Sequence, residues 1–149
     1  MQLRRTLIVG GLWVGLMFGG CATSRGLMGG GSQQTWTLNT SPRVPAATGQ
    51  VSVKPDKDGN QTLKVDVERL AAPTRVFDGA NAYVVWLIAP GSAPQNLGVL
   101  PLDNDLNGHL QTKTPFRTFD LVVTAEPSPT ATRPNENNRV MSASVRLPS

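Results

Sequence analysis

The sequence predicts an all-β domain, an immunoglobulin-like antiparallel β-sandwich of about seven or eight short strands, preceded by a signal peptide and a flexible tether. Two observations support this fold class. Short segments that alternate between apolar and polar residues, or that are apolar throughout, recur about every ten residues and are separated by turn-forming residues. Beyond residue 20, no segment has the apolar spacing of an amphipathic helix.

The N-terminus has the layout of a bacterial export signal. Two arginines lie near its start, residues 6–18 are almost wholly apolar, and two glycines precede Cys21. The ending resembles a lipobox, although Phe18 stands where leucine is usual. The resemblance implies cleavage between Gly20 and Cys21 and acylation of the Cys21 thiol. Cleavage a residue or two later, which would release a soluble protein, and an uncleaved anchor are the alternatives.

Residues 21–34 are predicted to form the tether, because they are rich in glycine and serine and have no periodicity. Fully extended, such a segment reaches about 40 to 45 Å. Residues 35–149 are long enough for one domain. Cys21 is the only cysteine, so no internal disulfide can form and the core alone must stabilise the fold. Basic residues are scattered singly, which argues against a nucleic-acid partner.

Three strands are predicted in the first part of the domain. Residues 33–39 alternate weakly, whereas residues 49–54 and 61–70 alternate clearly. Between the latter two, residues 55–60 (PDKDGN) have strong turn chemistry, so the two strands should form a hairpin with one buried face. That predicted face consists of Val51, Val53, Leu63, Val65 and Val67.

The second part of the domain is predicted to contain five strands. Residues 71–81 read as a loop, and residues 82–89 are apolar on both faces, as a central strand is. Residues 127–138 are too polar to enter a core and form a long loop. The other four predicted strands are 97–102, 109–113 (pairing back as a short edge), 119–125 and 140–147.

We predict no catalytic residue and no cofactor. His109 is the only histidine and follows a turn, so a triad, a histidine-based metal site or a histidine general base would depend on one exposed residue. Asp66 and Glu68 fall on the solvent face of a strand. The sequence contains no nucleophile elbow and no phosphate-binding glycine loop.

Residues 103–108 (DNDLNG) match the first half of a calcium-binding loop, with Asp103, Asp105 and Asn107 as candidate ligands. Thr114 stands where the bidentate glutamate is expected, and no helices flank the segment. A plain hairpin turn demands the same residue types and is the preferred interpretation.

The polar loop 127–138 is the best candidate for an exposed binding surface. Its charged residues Arg133 and Glu136, with Arg139 just beyond it, would form that surface, and a merely solvated loop is the alternative. The aromatic residues within the strands are predicted to pack in the core rather than to form a ligand platform.

Three short motifs occur in order within residues 83–145: YVVWL at 83–87, LGVL at 97–100 and FDLVVTAEP at 119–127. A loop rich in Ser, Pro and Thr and a final valine-containing strand follow. In this order they resemble the extracytoplasmic C-terminal domain of anti-sigma-K factors. The resemblance implies a β-sandwich outside the cytoplasmic membrane with a sensing or interaction role, and no catalytic residue.

The sequence departs from that family in two places. Residues 128–130 (SPT) replace a glycine-rich turn, and a lipobox stands where the family has a cytoplasmic sigma-binding domain and a transmembrane helix. We therefore expect no sigma-factor binding.

Together these features predict a palmitate-bearing lipoprotein with a non-enzymatic binding or sensing domain. Ala22 after the cysteine favours the outer membrane facing the periplasm. The expected partners are membrane lipid through Cys21 and an envelope protein or the cell wall. A structural envelope lipoprotein and a calcium-binding module are the alternatives.

Overall fold

Residues 31–149 are described by the structure, a computed structural model. The predicted signal peptide, its cleavage site, the lipidation site Cys21 and the tether up to residue 30 lie outside the described residues. In the described part of the chain, nine strands form two antiparallel sheets that stack as a sandwich. The predicted all-β fold class is confirmed.

The strands are β1 Gln34–Thr37, β2 Asn39–Thr40, β3 Thr48–Pro55, β4 Gln61–Glu68, β5 Ala82–Ile88, β6 Gln95–Val99, β7 Gly108–Thr114, β8 Thr118–Glu126 and β9 Arg139–Arg146. A one-turn helix, α1 Pro73–Val76, and a 3-10 turn at Glu136–Asn138 lie in two of the loops. One sheet has the order β1-β3-β4-β7 and the other β2-β9-β8-β5-β6. No helix in residues 31–149 is long and apolar enough to span a bilayer.

The β3–β4 hairpin forms as its alternation predicts. Val51 pairs with Val65 and Val53 with Leu63, and all of these side chains are buried between the sheets. The intervening polar residues lie on the outer face of the four-stranded sheet, which is open to water. Gly59 closes the hairpin turn with a positive φ of 80°, a conformation that suits glycine.

Strands β5 and β8 are apolar on both faces because both of their faces are covered. Tyr83, Val85 and Leu87 face the four-stranded sheet and join the main core. Val84 and Trp86 point the other way and form a second, smaller cluster with Val122. That cluster lies beneath the loop formed by residues 127–138, whose Ala131 packs against it.

Strand pairing follows the immunoglobulin-like pattern. β3, β4 and β7 are neighbours in one sheet, and β6, β5, β8 and β9 are neighbours in the other. In immunoglobulin-like domains, one sheet contains the neighbouring strands A, B and E, and the other contains C′, C, F and G. β1 extends the first sheet beyond β3, and β2 adds a short edge beside β9.

One predicted pairing is wrong. Residues 109–113 do not pair back on 97–102, except through a single bridge between Leu102 and Gly108. Instead β7 crosses to the other sheet and pairs with β4 along its whole length. The crossing brings the Gly108 backbone so close to its neighbours that a Cβ there would lie 2.9 Å from Val67 Cγ2 and 3.0 Å from Leu100 Cγ.

Two smaller differences concern loops and boundaries. Residues 33–39 are divided between β1 and β2, which belong to different sheets, with buried Leu38 at the crossing. The predicted loop 71–81 contains the helical turn α1, which begins at Pro73, a residue suited to the first turn of a helix.

Strand directions give the sandwich two distinct ends. At one, which we call the tether end, the chain enters β1 and leaves β9, and the connections 56–60, 89–94 and 115–117 are short. At the other, the loop end, lie the four long connections. These are residues 38–47, 69–81, 100–107 and 127–138.

Candidate functional site

An open groove of about 670 Å³ crosses the outer face of the four-stranded sheet near the loop end. It results from register: Asp66 on β4 pairs with Gln50 on β3 and with His109 on β7, so their side chains share one face. We call it the acidic groove and define it by Asp66, Glu68 and Asp103 together with Lys64 and His109. A smaller depression of about 310 Å³ continues it toward β1.

Charges in the acidic groove do not balance. Asp66 has two nitrogen-bearing neighbours, because its Oδ1 lies 2.7 Å from His109 Nδ1 and its Oδ2 lies 3.7 Å from Lys64 Nζ. Within residues 31–149, no cationic nitrogen lies within 4.0 Å of a Glu68 or Asp103 carboxylate oxygen. The groove therefore has surplus negative charge.

The turn at residues 103–107 forms one wall of the groove. Asp103 Oδ1 accepts hydrogen bonds from the backbone N–H groups of Asp105 and Asn107, both at 2.9 Å. The Asp103 N–H donates to the Asn107 carbonyl at 2.8 Å. These bonds form an Asx turn, which explains the Asp, Asn and Gly pattern without an ion.

No group of three or more His, Cys, Asp or Glu side chains that could hold a metal ion occurs in the described part of the chain. The structure places Asp103 and Asn107 along the acidic groove, whereas Asp105 does not line it. Calcium binding by Asp103, Asp105 and Asn107 stays an untested alternative to the plain turn that the sequence favours.

Next to the groove, an apolar cleft of about 300 Å³ opens at the loop end. Its apolar lining includes Pro73, Tyr83, Leu100, Pro101, Leu102 and Leu106. Leu106 is 41% exposed and is the only large hydrophobic side chain among residues 31–149 that is exposed. The cleft and the acidic groove share Pro101, Leu102 and Asp103, so they are adjoining parts of one surface.

Backbone strain is concentrated at the same place. Arg69, with φ of 55°, and Leu106, with φ of 64°, are the non-glycine residues with positive φ between residues 31 and 149. Such a conformation costs an ordinary side chain about 1 to 2 kcal/mol. The two are held together, because the Leu70 N–H donates to the Leu106 carbonyl at 2.9 Å and the Arg69 N–H to Asn107 Oδ1 at 3.4 Å.

His109 has no nucleophile to activate in the acidic groove. Its Nδ1 meets Asp66, an arrangement that can orient an imidazole, but no serine, threonine or cysteine lines the groove beside it. The side chain is also half exposed. The arrangement can bind a charged or polar group by hydrogen bonding.

The loop 127–138 has a role that the sequence did not reveal. Arg133, Glu136 and Arg139 are exposed, as predicted, and Arg139 forms an ion pair with Glu136. The loop itself, however, lies across the outer face of the five-stranded sheet. Asn96 Nδ2 donates to the carbonyls of Pro129 at 3.2 Å and Ala131 at 3.0 Å, which fastens the loop over Trp86.

Beneath that loop runs a buried chain of hydrogen bonds. Trp86 Nε1 donates to Thr124 Oγ1 at 2.8 Å, and the Thr124 hydroxyl donates to Glu126 Oε1 at 2.5 Å. The Asn135 N–H donates to the same Glu126 oxygen at 2.7 Å, and Glu126 is only 3% exposed. The tryptophan, threonine and glutamate of the sequence motifs at 83–87 and 119–127 are therefore in contact and stabilise the sheet and its covering loop.

Comparison with known proteins identifies no family. No protein-family model matches the chain, and a search of the curated proteins found no match.

Proposed function

We propose that this protein is a lipid-anchored envelope protein whose β-sandwich binds or senses a partner through its loop end, without catalysis. One observation supports the proposal most strongly. The chain enters the domain at the tether end, whereas the acidic groove and the apolar cleft lie at the opposite end.

Dimensions agree with such a role. An eight-residue strand such as β3 is about 26 Å long, so the two ends of the sandwich are separated by roughly that distance. The tether would add up to about 40 Å more between the lipid and β1. A domain attached in this way presents its long loops away from the membrane surface.

The remaining parts of the proposal rest on the sequence. Cys21 would hold the acyl chains, and Ala22 after it favours the outer membrane, with the domain in the periplasm. The resemblance to anti-sigma-K factors supports an interaction role outside the cytoplasm, without sigma-factor binding.

Site-specific photo-crosslinking in intact cells tests the proposal. A crosslinker replaces Asn104, which is exposed at the loop end, and in a matched control it replaces Asp58, which is exposed at the tether end. We expect a defined partner to be captured from position 104 and not from 58, and to be lost when Cys21→Ser releases the chain from membranes. Capture from position 58 alone would contradict the proposed orientation.

Two outcomes bear on the other parts of the proposal. Retention of Cys21→Ser in the membrane fraction would overturn lipid anchoring. Capture of cell-wall fragments instead of a protein would favour a structural role in the envelope.

Calcium binding at residues 103–107 has its own test. A rise in melting temperature in millimolar calcium, absent in Asp105→Asn, would show binding by the native fold. An unchanged melting temperature would remove calcium from the proposal.

A further inference from the structure

We propose that the acidic groove and the apolar cleft form one two-part docking site for an extended segment of a partner protein. In this site an apolar side chain of the partner enters the cleft beside Leu106, and a lysine or arginine nearby in its sequence lies over Glu68 and Asp103. The inference rests on the proposed function and adds the chemistry of the partner.

The apolar half of the site depends on Leu106. Leu106 is exposed at the edge of a cleft that is also lined by Pro101 and Leu102, so an apolar side chain of a partner could contact all three. Leu106 also occupies a conformation that glycine or asparagine would adopt more readily. Glycine would relieve this strain but would remove the apolar contact that Leu106 offers to a partner.

The charged half of the site specifies a cation. Glu68 and Asp103 have no cationic partner within 4.0 Å among residues 31–149, while the groove's lysine, Lys64, and its histidine, His109, both lie against Asp66. A basic side chain entering the groove would meet the Glu68 carboxylate and Oδ2 of Asp103, whose Oδ1 accepts the hydrogen bonds of the turn. Charge complementarity of this kind favours a basic partner over an acidic one.

The shape of the site favours a polypeptide. The two depressions adjoin at Pro101, Leu102 and Asp103, so an apolar anchor and a cation must lie within a few residues of each other. Both are open to solvent and would leave much of a small ligand uncovered, unlike the enclosed pockets that bind small molecules. A segment laid across the loop end would bury both parts at once.

Synthetic peptides provide the probe. Fluorescence anisotropy would measure their binding to the full-length chain in detergent, using a panel in which each peptide has one leucine or phenylalanine close to a lysine or arginine. A matched panel replaces the basic residue with glutamate. We expect members of the basic panel to bind roughly tenfold or more tightly than their acidic counterparts, and to weaken as salt is raised.

Variants of the chain locate the binding. Leu106→Gly removes the anchor and relieves the backbone strain, so binding should fall about tenfold or more while the melting temperature stays equal or rises. Asp103→Asn keeps an oxygen to accept the turn's hydrogen bonds but removes the charge, and Glu68→Gln removes the other charge. Both should weaken the basic peptides. Asp58→Asn, the same charge change at the tether end, should leave binding unchanged.

Three results would overturn the inference: no peptide bound, equal binding of the two panels, or full binding by Leu106→Gly. Self-association of the chain that Leu106→Gly abolishes would show that a second copy is the occupant, and would also overturn it. The proposed function would survive each of these, because crosslinking from position 104 detects a partner of any chemistry.

Discussion

At the scale of single residues, the hydroxyl of Thr124 links the sheet to its covering loop. It accepts from Trp86 Nε1 and donates to Glu126, so its removal leaves buried groups without partners. We expect Thr124→Val to lower the free energy of unfolding by about 1 to 3 kcal/mol, measured by urea denaturation.

The control for that substitution is Thr112→Val on β7, where the same hydroxyl makes no side-chain hydrogen bond within the described residues. This variant should differ from the parent by about 0.5 kcal/mol or less. Equal losses in the two variants would show that the hydrogen-bond chain contributes nothing.

Tyr83 is the only tyrosine in the sequence, so its titration can be followed directly by tyrosinate absorbance. Burial raises the pKa of Tyr83 from 10.0 to about 12, and its hydroxyl donates to the Ala71 carbonyl at 2.6 Å. Because the folded pKa is the higher one, the stability that the neutral phenol contributes is present below about pH 10. It is lost as the pH rises toward 12.

We expect a native midpoint near 12 for Tyr83 and a midpoint near 10 in denaturant, with circular dichroism recorded alongside to confirm that the native state is being titrated. A native midpoint near 10 would show that Tyr83 is exposed in solution.

An exposed ion pair at the tether end should affect how the free energy of unfolding changes at acidic pH. The Lys113 ammonium hydrogen-bonded to Asp56, helped by the Lys57 backbone N–H, holds the pKa of Asp56 below its ordinary 3.8. When the pKa of a carboxyl group is lower in the folded than in the unfolded state, its ionised form stabilises the fold at pH values above the unfolded-state pKa. That stabilisation is lost as the pH falls through the folded-state pKa.

Lys113→Met should therefore lose less stability than the parent protein when the pH falls from about 6 to about 3. Urea denaturation midpoints recorded at the two pH values would measure the difference. Lys54→Met, which removes an exposed lysine that forms no ion pair within residues 31–149, is the control. Identical pH dependence in the parent and Lys113→Met would mean that the pair does not form in solution.

At the scale of elements, Asn96 on β6 fastens the loop 127–138 by two hydrogen bonds. We expect Asn96→Ala to speed amide hydrogen exchange in the loop by roughly tenfold, because local opening needs less free energy when these bonds are absent. Amides in β8 and β9 should keep their protection.

Asn104→Ala is the control for Asn96→Ala, since the Asn104 side chain is exposed and forms no side-chain hydrogen bond within residues 31–149. Unchanged exchange in Asn96→Ala would contradict the fastening role of Asn96.

The strands could be predicted because their signals are local. Alternation in residues 61–70 and the turn chemistry of residues 55–60 specify the β3–β4 hairpin without reference to the rest of the chain. The partner of β7 could not be predicted in this way. Its pairing with β4 joins residues that are between 41 (Val67 and Gly108) and 53 (Gln61 and Thr114) positions apart, and nothing in the pattern of 109–113 selects one neighbour over another.

The candidate site likewise combines a local feature that the sequence predicts with a long-range contact that it does not predict. The turn at residues 103–107 was visible in the sequence, whereas its approach to Asp66 and His109 depends on the crossing of β7. The covering of Trp86 by residues 127–138 could not be predicted from the loop itself, because its polar composition predicts an exposed surface rather than a contact with the sheet. A doubly apolar strand with no third layer to cover it was the signal that could have revealed it.

At the scale of the whole molecule, the proposed lipid anchor predicts that the tether end lies nearer the membrane than the loop end. Energy transfer to a lipid dye in vesicles would measure this, with a donor on Asp58→Cys or Asn104→Cys of the protein purified from membranes, in which the proposed acylation would leave no free thiol at Cys21. We expect stronger transfer from position 58, because the two ends differ by roughly 26 Å.

Loss of transfer in a Cys21→Ser background would confirm that anchoring brings the donor to the membrane. Equal transfer from both positions would contradict the orientation on which the proposed function depends.

Since the chain enters the sandwich at one end and the proposed docking site lies at the other, the two positions would also determine how the domain bears mechanical load. A pull between the membrane and a bound partner would act along the strands, with β1 drawn lengthwise past β3. Hydrogen bonds between antiparallel strands are perpendicular to them, so they would be sheared together rather than opened one at a time. The four residue pairs from Gln34↔Val53 to Thr37↔Gln50 would then limit the force that can pass from the proposed anchor to a bound partner.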